Sequence, residues 1–371
     1  MSSDRDTAPR KRLVIVAGVG RSGTSLFTTI MGMAGFHVPQ PEVKADSTNP
    51  KGFGEPQWVV DFHGRQLRSR RVSVWDSRPA AWDLTAAAAD EPEAFAELKA
   101  WLAVQFVGRD SVVVKDPRIG WFLPLWEKAA DELGVETSFA ALLRHPAEAV
   151  SSAIKWYGDW QTPASRTLSW VNIMLETEYA TRDSRRVFVR YDDLLADWAG
   201  EMTRVGHALD IPVLRELPAD VRREVDEFVD PTLHRQKVTF AEVGVPSRVE
   251  ELTEEVWKQF TGLAVAGGDS AENHAVLDRS REAYHAFYAE AEAIAQSTIH
   301  ALRPAGGAAK GSSVARRGSA GSAGVVRGSG ADALIRVAER VVPPKLRRRV
   351  PPVWRSRIMR AANKASRLVR R

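Results

Sequence analysis

The sequence predicts an α/β fold: three layers, with a mostly parallel sheet flanked by helices. Three observations carry this expectation. Short apolar runs rich in β-branched residues recur through the first half of the chain, and a stretch with helical character follows each one. The chain is also long enough, at 371 residues and 44% hydrophobic, to bury a sizeable core.

The first strand is Leu13 to Ala17, closed by Gly18, with helical character from Thr24 to Ala34. The second is Ser111 to Lys115, followed by a helix from about Trp121 to Leu133. The third is Ser138 to Leu143. Its helix opens near Pro146, where proline suits the first turn because the N–H it lacks has no helical partner there. The fourth is Val187 to Arg190, with a helix from about Asp192 to Leu209. Four strand–turn–helix units in series place parallel strands in one sheet with helices on both faces.

Beyond residue 210 the pattern is mainly helical, with segments at 218–228, 250–262 and 272–300. Residues 303–330 are rich in Gly, Ala and Ser and read as a flexible linker. Residues 331–371 regain some apolar periodicity with 13 Lys and Arg, broken by Pro343-Pro344 and Pro351-Pro352. The expected division is a disordered start (1–11), a folded domain (12–302), the linker (303–330) and a basic amphipathic tail (331–371). There are no internal repeats.

Charge is divided unevenly along the chain. Residues 303–371 hold 18 Lys and Arg against 2 Asp and Glu, a net of +16. The remainder holds 34 against 45, a net of −11, so the overall +5 describes neither part. An acidic body gives no footing for nucleic-acid binding, and none is expected. With no cysteines, disulfides and thiolate metal sites are excluded, and the eight histidines form no zinc-type pair. The apolar run Leu13 to Val19 is too short for a signal sequence, and no window approaches a membrane span, so a cytoplasmic location is expected.

The strongest motif is Gly18-Val-Gly-Arg-Ser-Gly-Thr-Ser25, between the first strand and its helix. Glycines let the backbone curl until successive N–H groups converge on an anion, and the helix N-terminus adds favourable partial charge. Gly18 and Gly23 keep the spacing of the nucleotide-binding loop G-x-x-x-x-G-K-[ST], but Thr24 occupies the lysine position and the cation has moved to Arg21. A nucleotide triphosphatase needs that lysine on its β- and γ-phosphates. A loop with an internal arginine suits a smaller anion held without metal.

These residues resemble the sulfotransferase superfamily, whose 5′-phosphosulfate loop commonly reads P-x-R-S-G-T-[ST]-x-L. Gly20 to Leu26 matches its core, while Val19-Gly20 stands where the family often has proline. The resemblance implies a P-loop NTPase-like sulfotransferase fold and 3′-phosphoadenosine 5′-phosphosulfate (PAPS) as donor, without metal. It assigns donor binding to Gly20, Arg21, Ser22, Gly23, Thr24 and Ser25. The family also carries an arginine at a strand end and a serine eight residues later, both on the 3′-phosphate; Arg144 and Ser152 have that spacing. Arg144 leaves the C-terminal edge of the sheet, where α/β ligands bind, and offers a planar fork to phosphate.

Lys115-Asp116-Pro117-Arg118 resembles the K-D-P segments of tyrosylprotein and bacterial sulfotransferases, which puts Lys115 on the leaving phosphate oxygen. Asp116 reads as a Walker-B-like carboxylate; otherwise Asp116 and Arg118 pair with each other or orient the acceptor. The acceptor hydroxyl needs a general base. Asn49-Pro-Lys-Gly-Phe-Gly-Glu55 resembles the bacterial N-P-[KR]-G-F-[WF]-E element and makes Glu55 the first candidate. Glu42, 21 residues after Arg21, is the second, and His63 the third.

The twelve tryptophans, Trp58, Trp75, Trp82, Trp121, Trp156 and Trp160 among them, read either as core residues or as platforms for a sugar. A glycan or glycolipid hydroxyl is therefore the expected acceptor. Tyr191-Asp-Asp-Leu-Leu195 resembles the family's Y-D-D-L-L element and is expected to supply a helix cap through Asp192 or Asp193. Pro231 to Arg235 resembles a late donor-side segment, with Arg235 toward phosphate. The tail 331–371 suits an anionic membrane surface or an acidic partner. Two other readings stand beside these: a P-loop kinase or NTPase, and a non-catalytic nucleotide-binding or membrane-docking protein.

Overall fold

Four strands form, and every ladder between them is parallel: β1 (Arg12–Ala17), β2 (Ser111–Lys115), β3 (Glu136–Leu143) and β4 (Arg185–Arg190), in the order β2-β1-β3-β4. The computed structural model describes residues 10–229 and 237–302. The segment with Arg235, the linker and the tail lie outside the described residues. The described residues belong to one compact unit that ends at Leu302.

Between β1 and β2 run α1 (Thr24–Met33), α2 (Gln57–Ser69), α3 (Ala80–Ala86) and α4 (Pro92–Gln105). α5 (Leu123–Asp131) precedes β3, and α6 (Pro146–Tyr157) and α7 (Pro163–Ala180) precede β4. After β4 come α8 (Tyr191–Ala196), α9 (Trp198–Ala208), α10 (Pro212–Arg215) and α11 (Ala219–Phe228). Three more follow: α12 (Phe240–Val243), α13 (Ser247–Leu263) and α14 (Ala271–Leu302).

The strands read as continuous apolar runs because both faces of the sheet are buried. Leu13, Ile15, Val112, Val114, Phe139 and Phe188 join one core with α2, α4 to α7, α13 and α14. Val14, Val16, Val113, Leu142, Val187 and Val189 join the other with α1 and α8 to α11. Alternation along each strand, with a period of two, thus sorts the side chains into the two outer layers.

Strand order positions the site. The chain leaves β1 toward β2 and leaves β3 toward β4, in opposite directions across the sheet. The connections after β1 and β3 therefore diverge, and a crevice opens at the C-terminal edge between them. The loop beginning at Gly18 and the turn holding Arg144 border that crevice.

The parallel sheet flanked by helices is as expected, and every ladder among the described residues is parallel. Two expectations are corrected. The helix foreseen over 192–209 breaks at Asp197, a non-helical residue whose side chain accepts from Gly200 N–H and starts α9 afresh. Capping by Asp192 or Asp193 does not form: α8 begins a residue earlier, Arg190 is its N-cap without a side-chain cap, and Asp193 sits in the first turn, 3.6 Å from Arg190.

Candidate functional site

The loop from Gly18 to Gly23 is shaped by close approach. At Gly18 (φ 125°) a Cβ would lie 2.7 Å from the Leu142 carbonyl of β3, so only glycine lets the chain leave β1 along its neighbour. At Gly23 (φ 87°) a Cβ would overlap the ring of Tyr191. Arg21 adopts φ 75° without being glycine, at a cost of about 1–2 kcal/mol. Three contacts hold it there. Its Nε donates to Ser152 Oγ at 3.0 Å, its Nη1 reaches Thr48 O at 3.5 Å, and its carbonyl accepts from Arg144 Nη1 at 3.0 Å. Gly23 is the N-cap of α1 and offers no side chain, so the first N–H groups of that helix have no side-chain cap.

The two halves of the anion site foreseen from the sequence therefore touch, Arg21 to Ser152 and Arg144 to Arg21. Arg144 is steadied by Glu148 at 2.9 Å and by the face of Tyr191, whose centroid is 4.9 Å away. A cavity of about 660 Å³ opens over these groups. Gly20, Arg21, Gly23, Thr24, Ser25, Arg144 and Ser152 all line it. So do five cationic side chains (Arg21, Lys51, Lys115, Arg144 and Lys155) against two carboxylates, Glu55 and Glu148, so positive groups outnumber negative ones around it. Ser22 departs from expectation. Its side chain is fully buried, its Oγ has no hydrogen-bond partner, and it does not line the cavity.

At the end of β2, Lys115 is 2% exposed and Glu55 8%. Lys115 Nζ donates to Glu55 Oε1 at 2.5 Å, to Phe53 O at 3.2 Å and to Ser25 Oγ at 3.3 Å, linking the phosphate loop to the carboxylate. Asn49 Nδ2 reaches the same Ser25 Oγ at 3.3 Å and holds Gly52 O, which fixes the segment that delivers Glu55. Burial pushes the Glu55 carboxyl above its ordinary range, and the charge of Lys115 offsets this only in part.

A second cavity, of about 310 Å³, adjoins the first. Gly20, Phe53, Glu55, Pro117 and Tyr157 line both, so Glu55 stands at their junction. Glu42, the second candidate base, lines neither; its carboxylate accepts from Gln40 at 2.6 Å.

His63, the third candidate, is fully buried with both ring nitrogens engaged. Trp126 Nε1–H donates to its Nε2 at 2.9 Å, so the proton sits on Nδ1 and is donated to Asp116 Oδ2 at 3.0 Å. Burial holds His63 below its ordinary range, and the ring stays neutral. The other Asp116 oxygen accepts from Arg118 N–H at 2.9 Å and from Arg118 Nη1 at 2.8 Å. Burial alone would raise the Asp116 carboxyl, but the His63 hydrogen bond and the Arg118 charge more than reverse it, leaving it well below the usual carboxylate range. With both oxygens committed, Asp116 orients Arg118 and is not presented to the larger cavity.

Sequence reasoning missed Lys51, Lys155 and Tyr191 as site residues. Lys155 lies three residues past Ser152 on the same face of α6, a spacing that could have been read. Tyr191 packs beneath Gly23 through a tertiary contact that no local pattern announces. Of the six tryptophans named, Trp121 is core, Trp82 packs against that core, Trp58 stacks on Trp101, Trp156 lines the larger cavity, and Trp75 and Trp160 line the smaller. Among the described residues no group of three or more His, Asp or Glu is placed to hold a metal ion, and no helix is long and apolar enough to cross a membrane.

The fold and site together define an α/β protein with a glycine-shaped loop at the switch point of its sheet and a buried Lys–Glu pair beside it. No family model and no curated protein matches the chain. Among solved structures it is similar to a sulfotransferase of Mycobacterium tuberculosis, at 15% identity and TM-score 0.37, over 65% of this chain and 76% of that one. It is also similar to the sulfotransferase domain of the Synechococcus PCC 7002 olefin synthase, at 15% and 0.33 over 75% and 98%. A third is a sulfotransferase domain from the curacin biosynthetic pathway, at 13% and 0.34 over 73% and 98%. The functional reading rests on the residues of the site itself.

Proposed function

We propose that the chain is a PAPS-dependent sulfotransferase that moves a sulfuryl group to an acceptor hydroxyl. The observation that carries this reading is the position of Glu55: on the boundary between a cavity lined mainly by cations and a smaller one lined by Trp75, Trp160, Arg118 and Arg166, in contact with the lysine that reaches Ser25 of the loop. In this reading the loop takes the 5′ group of the nucleotide, and Arg144 and Ser152, which adjoin it in the same cavity, take the 3′ group. In the smaller cavity the acceptor hydroxyl faces Glu55. Its oxygen attacks sulfur, the bond from sulfur to the 5′-phosphate oxygen breaks, and the hydroxyl proton passes to Glu55. The products are a sulfate ester and adenosine 3′,5′-bisphosphate. Lys115 and the N–H groups of α1 stabilise charge on the departing oxygen. Protonation of Glu55 weakens its hold on Lys115 as that charge develops.

The competing kinase or NTPase reading needs a loop lysine, where Thr24 stands, and a strand-end carboxylate free for metal, whereas both oxygens of Asp116 are bonded to His63 and Arg118. A sulfur-transfer assay on Glu55→Gln tests the proposal: the variant should bind adenosine 3′,5′-bisphosphate as the parent does and transfer no sulfate. Transfer at the parental rate would remove Glu55 from the chemistry.

A further inference from the structure

The smaller cavity contains a guanidinium that no carboxylate pairs with among the described residues; the charge of Asp159 acts on it only from beyond ion-pair distance. Arg166, on α7, is fully buried and lines it. Its Nη2 donates to Gly158 O at 2.6 Å, but Nε and Nη1 have no hydrogen-bond partner and no carboxylate pairs with it among the described residues. Its guanidinium lies between two indole faces, 5.9 Å from the centroid of Trp75 and 5.5 Å from that of Trp160. A buried, unpaired guanidinium with two idle donors costs several kcal/mol. Burial accordingly holds Arg166 below its ordinary range. Arg118 lines the same cavity, set by Asp116, and the cavity's one carboxylate, Glu55, is engaged by Lys115. Trp75 is 5% exposed, whereas Trp160 is 62% exposed.

We propose that the acceptor is an acid: a hydroxyl compound bearing a carboxylate beside a ring or apolar body. Arg166 and Arg118 take the carboxylate, Trp75 and Trp160 take the ring, and the hydroxyl is left at Glu55. That this hydroxyl is sulfated rests on the reading above; recognition of the acid does not.

The test is calorimetric binding of two probe pairs to the full chain without nucleotide: p-nitrophenyl glucuronide against its amide, and 4-hydroxyphenylacetate against its amide. At least one acid should bind about tenfold or more better than its amide, the range expected for a charge-assisted pair, and Arg166→Met should erase the difference. Equal binding within both pairs, or a preference that survives Arg166→Met, would overturn the proposal. Should Arg166→Met fail to fold, Arg118→Met decides in its place, with a reduced preference expected. Binding of adenosine 3′,5′-bisphosphate is titrated alongside. A chain that prefers the acids yet ignores the bisphosphate keeps this inference and loses the donor reading.

Discussion

At Glu55 two influences oppose each other, burial favouring the neutral acid and Lys115 favouring the carboxylate, and burial wins. The base must be ionised to accept a proton, so transfer should fall as pH drops through the raised pKa of Glu55. The acid limb of the pH–rate profile should lie above the value of about 4.3 for an unperturbed glutamate. A limb at or below that value would place the base elsewhere. Cationic side chains around the larger cavity separate by burial and contact. Arg21→Ala and Arg144→Ala should each weaken bisphosphate binding by roughly 2–5 kcal/mol, since each is partly buried and hydrogen-bonded within the loop. Lys155 is exposed, and Lys155→Ala should cost about 1 kcal/mol or less. Equal losses at all three would mean that the cavity attracts anions by net charge alone.

At the scale of elements, the loop depends on glycines that the sequence displays plainly, because the spacing of Gly18 and Gly23 reports backbone shape directly. Gly23→Ala should destabilise the fold by at least about 1–2 kcal/mol from the left-handed backbone, and further through overlap with Tyr191, as read by urea denaturation. Stability unchanged within error would mean that Tyr191 does not pack there. The four strands were equally legible: β2 begins and ends where the apolar run does, and β1, β3 and β4 begin only one or two residues earlier. α7 was not legible, for a physical reason. Thirteen consecutive residues, Arg166 to Glu178, are buried, so it shows no amphipathic face, and its polar side chains serve neighbours, as when Asn172 donates to the carbonyls of Asp76 and Arg78. α2 to α4 escaped for want of a strand signal to frame them. His63 was read as a possible base because sequence cannot show that Trp126 and Asp116 occupy both its nitrogens.

For the whole molecule, the division of charge makes its own prediction. With +16 over 303–371 and −11 over the rest, the full chain should bind vesicles containing phosphatidylserine, with affinity falling as salt rises. A chain ending at Leu302 should not bind them, yet should take up bisphosphate unchanged. Vesicle binding by the shorter chain would assign the contact to the folded unit. The surplus of tryptophan suggested no charge for an acceptor; the proposal of an acid arises only once the fold brings Arg118, on the turn after β2, and Arg166, on α7, to one cavity. The central claim, that this is a donor site for an adenosine 3′,5′-bisphosphate nucleotide, is met most directly by calorimetric titration of the purified protein, with that compound and separately with ATP and Mg²⁺. Tight binding of the bisphosphate in the presence of a chelator, lost in Arg144→Ala, is the predicted result. Uptake of ATP with Mg²⁺ and not of the bisphosphate would contradict the account and return the protein to the kinases and NTPases.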